Sequence, residues 1–303
     1  MRYYLNLLGN AQRLALTTAV SALAAAGLIT TTTKSALAEF EIQESQVEKG
    51  EVELEYRGAV HWGLPRAERE EAGEGEEGGA LEEEEEGEFL RQSHDIELQW
   101  SVTDRWMFST ALSADEPLDK DFDVSSVEAE LQYELIEREE NGLGLAFLGA
   151  YGFATRSGEA DEIEFGPIVE LASGKALLTT NTFFTSQVGD NRETDGLGFE
   201  YGWRAQYGLA RKWGVGVEMF GEIEDLSHAG SFNDQQHSIG PTLFFNSGGD
   251  DDDDDNGNGN GNHNNNKVAG PAKAEFSMNV GVQLGLTDLT SDTALKFQGA
   301  LEF

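Results

Sequence analysis

The sequence predicts an all-β chain, a single antiparallel up-and-down transmembrane β-barrel of about 12 strands. Three observations carry that expectation. Apolar and polar residues alternate with period two along most of 39–303, the signature of strands with one greasy and one wet face. Short and long connections also alternate, as in barrels with tight turns at one rim and longer loops at the other. Finally, the chain closes on an apolar-phase run, Leu295, Phe297, Leu301 and Phe303.

Taken in order, Met1 to Arg13 is a basic start, Leu14 to Ile29 an apolar stretch and Ala36-Leu37-Ala38 a small-x-small cleavage pattern. Residues 1–38 therefore read as a signal peptide. After it, no apolar run approaches the roughly 18 residues a spanning helix needs. Alternation marks strands at 51–62, 90–102, 105–112, 126–135, 143–155 and 162–171. It continues at 176–186, 197–209, 213–223, 237–246, 274–285 and 293–303. The tight connections are Thr103-Asp104, Ser173-Gly174-Lys175 and Ala210-Arg211-Lys212, with a modest one at 136–142. Those at 63–89, 113–125, 157–161, 187–196, 224–236 and 286–292 are mostly longer and polar. This count puts both termini on the periplasmic, short-turn side. The 247–272 insert breaks the rule.

Alternation alone does not say which face is inside, because a soluble lipocalin-like barrel has the same pattern. Twelve strands enclose more volume than these apolar side chains fill. Trp62, Trp100, Trp106 and Trp213 sit near strand ends on the apolar phase, where interface girdles occur. The apolar phase is therefore expected to face lipid in the bacterial outer membrane.

Several segments resemble a known family. Phe40-Glu41-Ile42 leading into Val47-Glu48-Lys49-Gly50-Glu51 is similar to the start of a family of uncharacterised proteobacterial outer-membrane barrels. So are Arg91-Gln92-Ser93-His94, Glu164-Phe165-Gly166-Pro167, Val188-Gly189-Asp190-Asn191, His237-Ser238-Ile239-Gly240-Pro241 and Gly285-Leu286-Thr287-Asp288. Some relatives are described as candidate transporters, akin to barrels associated with the phenol-degradation meta pathway. The resemblance implies a fold and a location and transfers no functional residue. This chain departs from the pattern in two insertions, Glu68–Glu88 and Asp250–Asn266.

Charge narrows the function further. Twenty Lys+Arg against 57 Asp+Glu give −37, a field that repels nucleic acid phosphate. The absence of cysteine removes disulfides, iron–sulfur clusters and thiolate chemistry. With the polar phase inward, Glu53, Glu55, Asp95, Glu97, Glu128, Glu130 and Glu164 line the lumen and attract cations. Arg57 and Arg204 narrow the path, and Arg91 and Lys296 are further inward bases. Strands 143–155, 197–209 and 213–223 point glycines inward, among them Gly144, Gly202 and Gly214, which leaves one wall open. Alternatively, the arginines knit into the acids and close the lumen.

No metal or cofactor is expected. The loop 63–89 holds twelve Glu, and like charges in series repel rather than coordinate. In the disordered-looking Asp/Asn/Gly insert, Asp252, Asp254, Asn256 and Gly257 match half of a calcium loop, but its twelfth position is His263. Nor is an enzyme expected: none of His61, His94, His228, His237 and His263 has a Ser two positions later, as a strand-borne dyad needs. The reading is a passive channel for small cationic or neutral solutes. The alternative is a closed structural barrel whose loops contact lipopolysaccharide or a partner. The partners are outer-membrane lipid and lipopolysaccharide, small solutes, and the barrel-assembly machinery through the strand ending in Phe303.

Overall fold

The computed structural model describes residues 40–63, 90–117, 121–192, 194–248 and 274–303. The expected signal peptide, nearly all of the Glu-rich loop and nearly all of the Asp/Asn/Gly insert lie outside the described residues. The twelve strands are β1 (Val52–Trp62), β2 (Leu90–Ser101), β3 (Trp106–Pro117), β4 (Asp123–Ile136), β5 (Leu143–Ala154) and β6 (Asp161–Ser173). They continue as β7 (Ala176–Val188), β8 (Gly198–Ala210), β9 (Trp213–Ile223), β10 (Gln236–Asn246), β11 (Glu275–Gly285) and β12 (Thr293–Glu302). Each pairs antiparallel with its neighbours in sequence, and β1 pairs with β12 to close the barrel.

The two faces settle the orientation. Leu54, Ile96, Phe108, Leu131, Phe147, Phe165, Val217, Leu243, Val280 and Leu301 are exposed on the outer surface, an apolar belt far too continuous for a soluble monomer. Trp100, Trp106 and Trp213 are exposed at strand ends. Inside, buried polar and charged residues outnumber buried apolar ones. The chain is a transmembrane β-barrel, greasy outside and charged within.

Hydropathy misplaces one boundary. The expected connection 113–125 is mostly strand: β3 runs on to Pro117 and β4 begins at Asp123. In Ser113-Ala114-Asp115-Glu116-Pro117 the outward positions are small or polar, because the strands here rise beyond the apolar belt. Alternation in burial persists, and alternation in hydropathy does not. A bulge between Ser113 and Ala114 shifts the register there.

Two Gly-Pro pairs interrupt the ladders. Gly166-Pro167 falls in the gap between the pairs Phe165↔Phe184 and Ile168↔Asn181, and Gly240-Pro241 between Ile239↔Leu284 and Thr242↔Gly281. Proline has no N–H to give the ladder, and the facing backbone lies close against each glycine. A Cβ on Gly166 would lie 2.0 Å from the Thr182 carbonyl oxygen, and one on Gly240 1.7 Å from that of Val282. Only glycine fits.

At the long-loop rim, Asp225 joins two loops. Its carboxylate accepts from the Ser227 amide (2.8 Å), the Ser227 hydroxyl (2.6 Å) and Thr194 Oγ1 (3.1 Å), and contacts His228 Nδ1 at 3.0 Å. The Ser227 and His228 hydrogen bonds hold its carboxyl well below the usual range. A depressed carboxyl contributes stability that is present above its unfolded value and lost as pH falls through its folded value. Protection of this loop pair in hydrogen exchange should therefore hold at neutral pH and begin to decline below about pH 4. Asp225→Asn should already exchange fast at neutral pH and show no such decline. Gly240→Ala should cost about 1–3 kcal/mol through the forced backbone shift, read from urea unfolding of the folded barrel.

Candidate functional site

The strand pattern places carboxylates and small residues in alternation across the inner wall. One cross-strand row reads Glu55, Glu97, Ala111, Glu128, Gly152, Glu162, and the next Glu53, Gln99, Ser109, Glu130, Ala150, Glu164. A small residue between two acids leaves room for long side chains to lean over it. Glu55, Asp95, Glu97, Glu128 and Glu130 are buried within the barrel, while Glu53 and Glu164 are partly accessible in the same lumen. Arg57 and Arg204 are buried there as well. All nine residues singled out from sequence thus share the inner face.

The buried bases of the strands lie on β1, β8 and β12. Arg57 Nη1 lies 2.6 Å from both Glu55 and Glu97, and its Nη2 lies 2.8 Å from Glu41. Three carboxylates that would otherwise suit a metal ion are therefore already filled by a guanidinium. Lys296 Nζ pairs with Glu218 at 2.6 Å, and Arg204 Nη2 with Glu44 at 2.6 Å while its guanidinium stands over the Phe244 ring.

Arg91 departs from expectation. A bulge between Leu90 and Gln92 breaks the phase, and Arg91 is half exposed beside Glu116 at 3.2 Å instead of lining the lumen. Two arginines in connections do the buried pairing that strand phase could not reveal. Arg156 meets Asp115 at 2.5 Å and Arg138 meets Glu170 at 3.2 Å.

The larger correction concerns the glycine wall, which is filled at Gly144 and Gly202 but borders open space at Gly208 and Gly214. Residues 40–47 run down the lumen before β1 begins. Phe40 packs edge-on against Phe220 and its carbonyl accepts from Lys296 Nζ at 3.3 Å. The Gln43 amide donates to Asn181 Oδ1 at 2.7 Å, and Asn181 Nδ2 returns a bond to the Gln43 carbonyl at 2.9 Å. Gln132 donates to the Glu44 carbonyl at 3.0 Å, and Ser45 Oγ to Glu170 at 2.5 Å. A Cβ on Gly144 would meet Ser45 Oγ at 2.4 Å, and one on Gly202 the Glu41 carbonyl at 3.3 Å. At these two positions the expected free volume is taken by the Ser45 side chain and the Glu41 backbone. The available signal was the glycines themselves, since Gly in a strand often marks close approach of another chain segment.

Alongside this segment a cavity of about 440 Å³ extends to the short-turn rim. Its lining includes Glu44, Glu48, Glu51, Glu53, Glu275 and Glu302. Carboxylate oxygens of Glu51, Glu53 and Glu302 come within 4.8 Å of one another.

His61, His94 and His237 are engaged in local contacts. His94 takes Tyr56 OH at Nδ1 (2.8 Å) and Gln92 at Nε2 (3.2 Å); His237 repeats this with Tyr201 (3.0 Å) and Gln235 (2.9 Å) on the outer face. His61 Nδ1 meets Ser291 Oγ at 2.8 Å, a pair that spacing along the chain could not show.

These features define the class: a transmembrane β-barrel with an acidic lumen crossed by its own segment 40–47. No protein-family model and no curated protein matches the chain. Among solved structures it is similar to the COG4313 outer membrane channel from Pseudomonas putida F1, at 9% identity over 89% of this chain and 100% of that one, TM-score 0.47. It is also similar to LpxR from Salmonella typhimurium, at 10% identity over 83% and 99%, TM-score 0.37. For OprD from Pseudomonas aeruginosa the values are 13%, 72% and 60%, TM-score 0.32. The chain therefore matches only 60% of the length of OprD.

Removing one partner of a buried ion pair strands the others. Arg57→Ala leaves Glu41, Glu55 and Glu97 without their shared cation, an expected loss on the order of 3–5 kcal/mol in urea unfolding at neutral pH. Arg91→Ala, at an exposed pair, should change stability by less than about 1 kcal/mol.

Proposed function

We propose that the protein is a passive outer-membrane channel for small cationic or neutral solutes. The observation that carries this reading is the carboxylate excess on the inner face. Glu53, Glu55, Asp95, Glu97, Glu128, Glu130 and Glu164 face a lumen in which Arg57, Arg204 and Lys296 are the buried bases of the strands. A water-filled passage lined by one sign of charge concentrates the opposite ion. Residues 40–47 run through the lumen, and Arg57 and Arg204 tether that segment through Glu41 and Glu44. Solutes leaving it enter the acidic cavity at the short-turn rim, which this reading turns toward the periplasm. Export through a cleaved signal peptide and assembly through the strand ending in Phe303 belong to the same proposal.

The same ion pairs support a second reading, a closed structural barrel whose long loops contact lipopolysaccharide or a partner. Conductance in a planar bilayer under a salt gradient separates the two. The channel reading expects stable currents with a cation-selective reversal potential, which moves toward zero in the combined variant Glu53→Gln, Glu55→Gln, Glu130→Gln. Silence from a folded, inserted barrel would establish the closed form, and anion selectivity would overturn the role given to the carboxylates.

A further inference from the structure

The cavity at the short-turn rim has two walls of opposite sign. On one, Glu53, Glu302 and Glu275 stand on β1, β12 and β11 as Cα partners in a single cross-strand row. Glu51 joins them, with a carboxylate oxygen within 4.8 Å of one each from Glu53 and Glu302. The other wall carries Arg204 of β8 and, in the turn from β8 to β9, Arg211 and Lys212. In the sheet β10 lies between the two walls and lines the cavity with Phe244.

Two buried polar atoms of this lining have no partner, and they differ in kind. Arg204 is 5% exposed; Glu44 holds its Nη2 at 2.6 Å, while its Nε donates to nothing. Asn279 is 6% exposed; its Nδ2 donates to Gln298 at 2.6 Å, while its Oδ1 accepts from nothing. The donor belongs to the basic wall. The acceptor is on β11, the strand that also carries Glu275. Buried polar groups are normally answered, and one left unanswered costs its full desolvation. Together the two call for a ligand that brings an acceptor to one wall and a donor to the other.

We propose that this cavity binds a small zwitterion, with its ammonium at the acidic row and Asn279 and its carboxylate at Arg204 and the Arg211–Lys212 turn. A simple cation answers only the acids, and a simple anion only the bases. Walls of opposite sign orient a solute that carries both charges. The volume of about 440 Å³ lies in the ordinary range for small-molecule sites. A fully extended chain of three residues reaches about 10 Å, long enough to hold its two charges apart. The zwitterion puts a chemical class on the neutral solute of the channel reading, and as transported cargo it rests on that reading. Its binding does not require conduction.

Equilibrium dialysis of the folded full-length barrel against radiolabelled triglycine tests it, because triglycine offers the two charges and no side chain. One saturable site per chain is expected. N-acetyl-triglycine lacks the ammonium and triglycine amide the carboxylate. Each should compete at least about tenfold more weakly, the scale of losing one charge-assisted hydrogen bond. Binding should weaken by a similar factor in the double variant Glu51→Gln, Glu302→Gln and in Arg204→Gln, and stay unchanged in Arg91→Ala outside the lumen. Folding is checked by heat-dependent gel migration; if Arg204→Gln does not fold, the double variant Arg211→Gln, Lys212→Gln takes its place. No saturable binding, either analogue competing as well as triglycine, or binding that survives the substitutions on either wall would each overturn the assignment. A silent barrel that binds triglycine would defeat the channel reading alone, and a conducting barrel that does not bind it would defeat this site alone.

Discussion

Everything in this structure follows from closing a sheet in lipid. With no water at the outer surface, each backbone N–H and C=O must bond to a neighbouring strand, and only a closed barrel leaves no edge. The β1–β12 pairing supplies that closure over ten residues, from Glu53↔Glu302 to Trp62↔Thr293. Once it forms, period-two side chains have nowhere else to go: the apolar set meets lipid and the charged set meets the lumen. The acidic interior is thus the unavoidable other half of the lipid-facing belt. It creates the problem that the rest of the molecule answers, how to hold many buried carboxylates together.

Part of the answer is the segment 40–47, and its chemistry is at first sight perverse, since it brings Glu41 and Glu44 into an already acidic space. The bases explain it. Arg57 and Arg204 are buried where a lone guanidinium would be costly, and Glu41 and Glu44 reach them at 2.8 and 2.6 Å. The segment also satisfies Asn181, Gln132 and Glu170 with backbone groups and Ser45. It therefore acts as an adaptor, offering each wall the partner that wall lacks. Glycine at 144 and 202 gives it space.

Most of the barrel was legible because strand phase is a local property. Leu98, Trp100, Phe108, Leu131 and Phe147 announce their face from their own neighbours in sequence, and the inward direction of Glu97 or Glu130 follows at once. What was not legible depends on contacts across the chain. The ends of β3 and β4 leave the apolar belt, so hydropathy stops reporting them before the hydrogen bonds stop. Arg91 flips out because of a single bulge, which alternation cannot signal. Residues 40–47 read as a lead-in to β1; that they fill the lumen is fixed by Asn181 and Arg204, more than a hundred residues away. The Gly-Pro pairs were visible as sequence, yet their effect depends on the carbonyls of Thr182 and Val282 in the facing strands.

The inward charges are unevenly spread around the barrel. Arg57 and Lys296 stand on the adjacent strands β1 and β12 and Arg204 on β8, while the two carboxylate rows run from Glu55 and Glu53 on β1 to Glu162 and Glu164 on β6. On the channel reading proposed above, a cation entering the lumen would meet carboxylates on nearly every wall, and the segment 40–47 would stand in its way. Displacing that segment would break the Arg57–Glu41 and Arg204–Glu44 pairs and both Gln43–Asn181 bonds together. The tethers that stabilise the middle of the barrel would then also set the size of what could pass.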